Sequence, residues 1–270
     1  MSIIKSFAKD CLPPAIFWVL RQLRGDGIRF EGDYATWEDA AAQCTGYDAE
    51  PILAKVLDAT LKVKRGEAAY ERDSVLFDAI EYSWPVTAGL LWAAARSEGR
   101  LNVLDFGGSL GSSYFQNRKF LDQLINVQWS VVEQTHFVRA GKDFIQDDRL
   151  RFHFTIEESV SDSIPNIVLL SSVLQYIAEP YALLDDIVKV APDCLIIDRT
   201  PFLNTNSTDK IKIQEIPAAI YKSSYPCWFF NFHTLADYIS ALDFELIEKF
   251  DALDKLDASA TWHGLIFKKR

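Results

Sequence analysis

The sequence has few cysteines, a deficit of basic residues and no apolar run long enough to cross a bilayer, and each absence excludes a class of protein. Its four cysteines lie far apart among 270 residues and form no C-x-x-C pair. This spacing argues against a metal site or a disulfide framework and favours reduced thiols in the cytoplasm. A net charge of −10 argues against sequence-independent binding of nucleic acid, which needs a basic surface. We therefore expect a soluble globular chain that binds neither metal nor nucleic acid.

Residues 1–30 have the opposite charge balance, with five basic and two acidic side chains. The apolar run at residues 12–20 is interrupted by two prolines and is too short to span a bilayer. No small-residue cleavage site follows it, as a signal peptide would need. Two interpretations stay open: an amphipathic segment with weak contact to a membrane surface, or a helix packed on the protein's own body or on a second subunit. The oligomeric state is not predicted.

The glycine-rich stretch LNVLDFGGSLGSS, at residues 101–113, lacks the G-x-G-x-x-G spacing of a dinucleotide site, and no lysine follows Gly111 as in a phosphate-binding loop. An apolar run typical of a strand ends at Asp105, and glycines then lead into a segment with helical spacing. A carboxylate at this turn would repel a pyrophosphate. S-adenosylmethionine instead presents an ammonium and a sulfonium there, and its carboxylate can lie at the helix N-terminus. The turn therefore predicts S-adenosylmethionine as the cofactor.

Apolar segments with strand and helix patterns alternate after residue 100, which predicts a parallel sheet with helices on both faces. We expect the last two strands to form an antiparallel pair, because only a turn-like segment separates them. Five parallel strands followed by such a pair make an α/β fold, the Rossmann-like seven-stranded sheet of class I methyltransferases. The predicted strands are 102–106, 128–133, 150–156, 167–171, 194–198, 244–250 and 261–268, with 150–156 at an edge of the sheet.

Two regions lie outside this alternation. Residues 1–100 look helical and are predicted as an N-terminal extension or lid, with Thr36 and Asp39 as a capping box and Gly66 closing a helix that begins near Pro51. Residues 101–270 are predicted as the S-adenosylmethionine-binding domain. Within that domain, residues 200–232 contain seven aromatic side chains and form a candidate substrate wall, since they follow the fifth strand at the edge where ligands bind in open α/β sheets.

The candidate cofactor site follows from the ends of the first two strands. Asp105 would accept a hydrogen bond from the methionine ammonium, and Gly107 and Gly111 would allow positive φ angles and a close approach of the backbone. Glu133 ends the second strand, 22 residues after Gly111, where an acid can accept from both ribose hydroxyls; the alternative is a carboxylate facing solvent. Ser109 and Ser112 serve equally well as ligand donors or as helix caps. The predicted cofactor-binding residues are Asp105, Gly107, Gly108, Ser109, Gly111, Glu133 and Ser172.

Candidate residues for the methyl acceptor follow the fourth and fifth strands. Gln175 or Tyr176 would orient the acceptor, or would only pack a loop. Asp198 would act as a general base, or would pair with Arg199. His233 would act as a base at the end of the aromatic insertion, or is only a polar residue at a helix start. A base is needed only when the acceptor is a hydroxyl. The predicted catalytic residues are Gln175, Asp198 and His233.

The other three histidines are weaker candidates. His153 alternates outward on the predicted edge strand and is expected to be inert. His263 lies in the last strand and is expected to be far from the site. His136 follows Glu133 closely enough in sequence to lie near the adenosine.

Several long motifs resemble an uncharacterised family of bacterial S-adenosylmethionine-dependent class I methyltransferases. These motifs are LDFGGSLGSSYFQNRKFL, WSVVEQ, LLSSVLQYI, LIIDRTPF and SYPCWFF, with GEAAYERDSVLFD and YSWP upstream. The resemblance covers roughly residues 30–270 and implies the class I fold and its methyl donor. It does not imply an acceptor, although such proteins suggest a sugar or another small metabolite. By position in the family pattern, Tyr70, Arg72 and Asp73 are expected to line the site from the N-terminal extension.

Three functions compete. The first is transfer of a methyl group to an oxygen or nitrogen of a small molecule or glycan precursor. The second is a scaffold or partner-binding protein that keeps the fold without catalysis, against which both acidic residues and the glycines argue. The third is a nicotinamide-dependent oxidoreductase, against which Asp105 and the missing dinucleotide motif argue.

Overall fold

The computed structural model describes residues 28–45, 49–72, 74–216, 223–254 and 260–270. The basic segment considered above as a membrane contact lies outside them, apart from residues 28–30. The chain forms two compact units. One draws on the described parts of Met1–Tyr47 and Ile211–Pro226, and the other on those of Asp48–Lys210 and Cys227–Arg270. The predicted division at residue 100, into an extension and a cofactor-binding domain, stays a prediction.

The strands in the described residues are Arg29–Tyr34 (β1), Tyr70–Arg72 (β2), Val75–Phe77 (β3), Arg100–Phe106 (β4), Asn126–Val132 (β5), Leu150–His153 (β6), Ile167–Ser171 (β7), Cys194–Leu203 (β8), Lys210–Ile216 (β9), Ser223–Phe229 (β10), Phe244–Asp251 (β11) and Ala260–Lys269 (β12). The α-helices there are Trp37–Ala41 (α1), Ala49–Lys64 (α2), Trp84–Arg96 (α3), Ser112–Leu121 (α4), Thr135–Ala140 (α5), Ile156–Asp162 (α6), Pro180–Lys189 (α7) and Phe232–Ala241 (α8). A π-helical turn, Gly141–Ile145, continues α5, and a 3₁₀ turn, Leu174–Tyr176, follows β7.

The larger unit is built on a seven-stranded sheet in the order β11-β12-β8-β7-β4-β5-β6. The five strands from β4 to β8 are parallel, while β12 is antiparallel to both β8 and β11. This arrangement confirms the predicted fold class, and each of the seven predicted strands overlaps an observed one. β6 is shorter than predicted, because it ends at His153 and a helix begins at Ile156. β7 is central and its IVLL run is fully buried, as expected of a strand covered on both faces. β6 lies at the edge, also as predicted.

Alternating side chains of the central strands point to opposite faces of this sheet. On one face, Leu195 and Ile197 join a core with α7 and α8. On the other face, Ile196 packs against α3, where an added Cβ on Gly89 would lie 2.7 Å from the Ile196 side chain. The second face therefore also receives Asp198, two residues beyond Ile196 on the same strand. The Asp198 side chain thus lies near the edge of the sheet formed by the C-terminal ends of the parallel strands, here called the carboxyl edge.

Local sequence signals fix several helix ends. Thr36 caps α1 by accepting from the backbone N–H of Asp39 at 3.1 Å, which confirms the helix start and one of the two hydrogen bonds of the predicted capping box. Asn231 caps α8 by accepting from the N–H of Thr234 at 3.0 Å. Gly66 follows α2 with a φ of +77°, a left-handed conformation that glycine adopts without steric cost.

The expectation that residues 1–100 are helical is wrong in three places. β1 has mostly polar, exposed residues and pairs with β9 more than 170 positions later in the chain. β2 and β3 are three-residue strands of a hairpin. β1, β9 and β10 form a separate three-stranded sheet, so the aromatic insertion contains strands as well. Periodicity gives little signal for such short or exposed strands.

None of the helices in the described ranges has the length and apolar character needed to span a membrane. Nor do three or more potential His, Cys, Asp or Glu ligands come together anywhere in those ranges.

Candidate functional site

The glycine turn between β4 and α4 has the backbone conformation that its sequence requires. Gly107 and Gly111 have φ angles of +71° and +89°, which side chains with a Cβ rarely adopt. Gly108 is needed for a different reason, because an added Cβ would lie 2.4 Å from the carboxyl carbon of Asp105. The turn thus brings bare backbone directly over a buried acid. The structure places Ser109 in the same turn, also at positive φ.

Asp105 is fully buried beneath this turn. Its Oδ2 accepts a hydrogen bond of 2.9 Å from the indole Nε1 of Trp129, whereas its Oδ1 accepts none from any described residue. Burial raises the pKa of this carboxyl to about 7, partly opposed by the Trp129 hydrogen bond. A buried acceptor without a partner is costly unless a ligand or water satisfies it.

Glu133 lies directly after β5 and reaches the glycine turn. Its carboxylate accepts from the backbone N–H groups of Gln134 and Ser109, which oppose the rise in its pKa that burial causes. The structure therefore brings together the two acids that were predicted for the cofactor, on either side of the same turn. Whether Glu133 accepts from a ribose is not tested by these contacts, and that role stays a prediction.

Glu71, on β2, is a residue of this region that sequence reasoning missed. It is 1% exposed. One carboxylate oxygen accepts from the hydroxyl of Ser112, the first residue of α4, and the other accepts from the N–H of Ser74 at 3.3 Å. The Ser112 hydroxyl, predicted as a cap or a ligand donor, is therefore bonded to the β2–β3 hairpin. The sequence contains no pattern that marks an acid as buried against a distant turn.

Gln175 is fully buried in the 3₁₀ turn after β7. Its Nε2 donates to the backbone oxygen of Arg199 at 3.1 Å and to the hydroxyl of Ser172 at 3.4 Å. Its Oε1 has no hydrogen-bond partner among the described residues. Ser172 itself has a φ of +57° and donates its backbone N–H to the backbone oxygen of Asp198. Neighbouring Tyr176 ends the same turn.

Asp198 is 4% exposed on β8, opposite Ser171 on β7. Its Oδ2 lies 3.5 Å from the hydroxyl of Ser171, and its Oδ1 has no partner in the described part of the chain. Burial raises the pKa of Asp198 to about 6, while the charge of Arg199 opposes this rise. The predicted alternative is that Asp198 pairs with Arg199. No salt bridge joins the two side chains among the described residues, but the Asp198 carboxylate accepts from the backbone N–H of Arg199. Arg199 instead bonds through its Nε to Asp254 at 2.5 Å.

The two orphaned carboxyl groups lie on one face of the sheet. Asp105 pairs in register with Leu169, and Leu169 pairs with Ile196, two residues before Asp198. Standard sheet spacings put the Cα atoms of Asp105 and Asp198 roughly 12 Å apart, two strands over and two residues nearer the carboxyl edge. The same edge bears the glycine turn.

The histidines are placed differently from several expectations. His233 is exposed in the first turn of α8, and its ring contacts Phe232; no contact within the described residues joins it to Asp198. The prediction that His153 points outward is wrong. It is 8% exposed, its Nε2 is 3.7 Å from Asp162, and burial lowers its pKa. His153 is buried, although β6 is an edge strand, because α6 packs over this face of β6.

His263 is closer to the candidate site than predicted. It pairs in register with Thr200, two residues beyond Asp198, and its Nδ1 is 3.2 Å from Asp251. The antiparallel return of β12 along β8 brings its start to the carboxyl edge, which the linear position of His263 does not reveal. His136 lies in the first turns of α5 with its ring against Phe137.

The residues that the family resemblance suggested from the N-terminal region are only partly described. Tyr70 is buried and stacks on Phe77. The Nη2 of Arg72 is 3.6 Å from Glu81, and its guanidinium lies over the Phe77 ring at 5.6 Å. Asp73 lies outside the described residues.

Comparisons with known proteins support the fold. A scan of the sequence against protein-family models finds no match, and a search of curated proteins finds none either. Solved structures do match. The N-terminal domain of EvdMO1, crystallised in the presence of S-adenosylhomocysteine (SAH) and D-fucose, has a TM-score of 0.50 and 13% sequence identity, covering 83% of this chain and 98% of that domain. This chain has the class I methyltransferase fold.

Two further structures cover even more of the chain at lower TM-scores. The [4+2]-cyclase SpnF has a TM-score of 0.48 and 14% identity, covering 90% of this chain and 98% of its own. The 1,6-didemethyltoxoflavin-N1-methyltransferase of Burkholderia thailandensis, with its substrate and SAH bound, has a TM-score of 0.42 and 13% identity, covering 88% of this chain and 99% of its own.

Proposed function

We propose that this protein is an S-adenosylmethionine-dependent methyltransferase that acts on an oxygen or nitrogen atom of a small molecule or glycan precursor in the cytoplasm. The observation that carries the proposal is the pair of acids at one glycine turn. Asp105 lies beneath the turn with one unpartnered oxygen, and Glu133 accepts from the N–H of Ser109 within it.

The residues of the turn fit the chemistry of this cofactor. The free Oδ1 of Asp105 can accept from an ammonium, which also favours ionisation of a carboxyl whose pKa burial raises to about 7. Glu133 can accept from ribose hydroxyls, and bare backbone at Gly108 admits a ligand close to the turn. A pyrophosphate in the same place would meet the charge of both acids. SAH is present in the EvdMO1 crystal structure, and we carry that cofactor to this chain as part of the proposal.

The bound cofactor would supply an electrophilic methyl group. The protein's own contribution is to position the acceptor and, where the acceptor is a hydroxyl, to take its proton. Asp198 suits this second task, because its Oδ1 is free and a carboxyl with a pKa of about 6 is largely ionised at neutral pH. Gln175 holds the 3₁₀ turn against β8 and positions this acid. His233 is exposed, and among the described contacts none connects it to Asp198, so we assign the proton to Asp198.

Calorimetric titration with S-adenosylmethionine, SAH and NAD in parallel tests the proposal. We expect micromolar binding of the first two and none of NAD, with loss of binding in Asp105→Asn. Asn keeps an oxygen for the Trp129 hydrogen bond, so the variant tests the charge rather than the packing. Binding of NAD alone would establish the oxidoreductase, and binding of none of the three ligands would favour the scaffold.

A further inference from the structure

Five side chains of the larger unit form a cluster at the carboxyl edge, here called the rim cluster: Arg72, Gln175, Asp198, Arg199 and Asp254. The ion pair of Arg199 with Asp254 is its centre. Gln175 bonds to the backbone oxygen of Arg199, and Asp198 precedes Arg199 on β8. Arg72 lies close enough to Asp254 for its positive charge to lower the pKa of that carboxyl.

Three buried polar atoms of the rim cluster have no hydrogen-bond partner among the described residues. They are the Nη1 of Arg72, which is a donor, and the Oε1 of Gln175 and Oδ1 of Asp198, which are acceptors. Gln175 is fully buried and Asp198 is 4% exposed, so bulk water does not satisfy these two acceptors. The Arg72 side chain is 19% exposed, but its Nη1 is buried. Buried polar groups are nearly always bonded in folded proteins. A donor and two acceptors left open in one cluster therefore indicate a ligand that both donates and accepts hydrogen bonds.

The charges of the cluster narrow the class of ligand. Arg199 is balanced by Asp254, and Arg72 is balanced by Glu81 at 3.6 Å. An anionic group could bond to Arg72 but would be repelled by Asp198 and Asp254. A cationic group could bond to Asp198 but would be repelled by both arginines. A hydroxyl group can serve as donor and acceptor without adding charge, so it satisfies the open atoms at the lowest electrostatic cost.

We propose that the rim cluster is the acceptor subsite and that it binds a neutral ligand with neighbouring hydroxyl groups, a sugar or another polyol. Arg72 donates to one ligand oxygen, and Asp198 and Gln175 accept from ligand hydroxyls. Arg72 thereby becomes a specificity residue supplied by the β2–β3 hairpin. This inference rests on the proposed function for the identity of the site as an acceptor site, but binding of the ligand can be measured without catalysis.

The subsite is tested by comparing neutral, anionic and cationic forms of the same sugar. The probes are the methyl glycoside, the uronic acid and the amino sugar of glucose, galactose and mannose, titrated in the presence of SAH and followed by ligand-observed NMR. We expect at least one neutral glycoside to bind in the millimolar range. Its charged counterparts should bind at least about tenfold more weakly, because the carboxylates of Asp198 and Asp254 repel the uronic acid and the two arginines repel the amino sugar. Arg72→Met and Asp198→Asn should each weaken the neutral glycoside by about tenfold.

The control is Arg100→Met, since Arg100 is exposed at the start of β4, at the opposite edge of the sheet. It should leave glycoside binding unchanged, and SAH binding in all variants reports that the fold is intact. The proposal would be overturned if a uronic acid bound most tightly. It would also be overturned if the affinity for the neutral glycoside were the same in Arg72→Met as in the wild type. Binding of SAH with no sugar bound at all would overturn it too, but would leave the proposed function standing. Glycoside binding that depends on Arg72 in a protein that binds no SAH would support the subsite and contradict the proposed function.

Discussion

The indole N–H of Trp129 donates to Asp105 at 2.9 Å, and this is the one hydrogen bond that the structure shows for the Asp105 side chain among the described residues. The two residues lie on adjacent parallel strands, β5 and β4. Trp129 is itself fully buried. The bond therefore holds a candidate ligand group in place from below, while the glycine turn leaves its second oxygen open.

Trp129→Phe should destabilise the protein through this bond. The substitution keeps an aromatic ring but leaves both oxygens of a buried carboxyl without a donor, which costs roughly 1–3 kcal/mol in the free energy of unfolding. The pKa of Asp105 should rise further, because the bond opposes its elevation. Urea denaturation measures the change. Trp92→Phe, at a half-buried site on α3, is the matched control, and an equal loss in both variants would contradict the assignment.

The raised pKa of Asp105 also predicts how stability depends on pH. The folded chain keeps the proton until about pH 7, whereas the unfolded chain releases it near the ordinary value of 3.8. The folded state thus binds more protons between these values, so stability falls as pH rises from about 4 to about 7 and then levels off. Asp198, with a pKa of about 6, adds to this fall in the lower part of the range.

The measurement is the urea midpoint at pH 5 and at pH 8. Wild-type protein should lose stability between them, and Asp105→Asn should lose roughly 2–3 kcal/mol less, because it cannot ionise. Asp122→Asn removes an exposed carboxyl on the surface and should follow the wild type. An equal change of the midpoint in wild type and Asp105→Asn would show that Asp105 does not retain its proton in the folded state.

Gly108→Ala should damage the turn by crowding rather than by backbone strain. Its Cβ would lie 2.4 Å from the Asp105 carboxyl, and this forced shift costs roughly 1–3 kcal/mol. Gly66→Ala is the contrasting variant, since its φ is +77° and no atom lies within 4 Å of its added Cβ. Both should lower stability, but only Gly108→Ala should also weaken SAH binding in calorimetry. Equal SAH affinity in the two variants would mean that the turn does not hold the cofactor.

Glu133→Ala should weaken SAH binding by an order of magnitude or more, as expected from losing charge-assisted hydrogen bonds to ribose hydroxyls. Glu133→Gln keeps one acceptor oxygen and should lie between Ala and the wild type. Glu157→Ala, in the first turn of α6, is the control for loss of a surface acid. Unchanged affinity in Glu133→Ala would remove Glu133 from the site.

The larger sheet was readable from the sequence because its signals are local. The IVLL run of β7 depends only on which residues face the core. The apolar Leu150 and Phe152 located β6, although its predicted alternation fails at the buried His153. Asp105 and Glu133 could be found in the same way, because each ends a strand whose position the apolar pattern fixes. The carboxyl ends of parallel strands then meet at one edge of the sheet by geometry alone.

The remainder of the site depends on contacts between distant segments. A glutamate such as Glu71 is normally expected at the surface. It is buried because its hairpin packs against Ser112. Asp254 follows a strand in a turn-like segment, and its pairing with Arg199 spans 55 positions. The partner of a charged side chain over such distances is set by tertiary packing, for which a single sequence carries no periodic signal.

The pairing of β1 with β9 limits how the chain can be shortened. Arg29 stands opposite Glu215 and Phe30 opposite Gln214, so β1 begins within the basic segment that a truncation would aim to remove. A truncation that removes part of β1 would leave backbone groups on one side of β9 unpaired. Such an exposed strand edge promotes association between molecules. A shortened chain that precipitates would then report an exposed strand rather than a lost membrane or subunit contact. A deletion meant to test the role of the N-terminus should therefore end before Arg29.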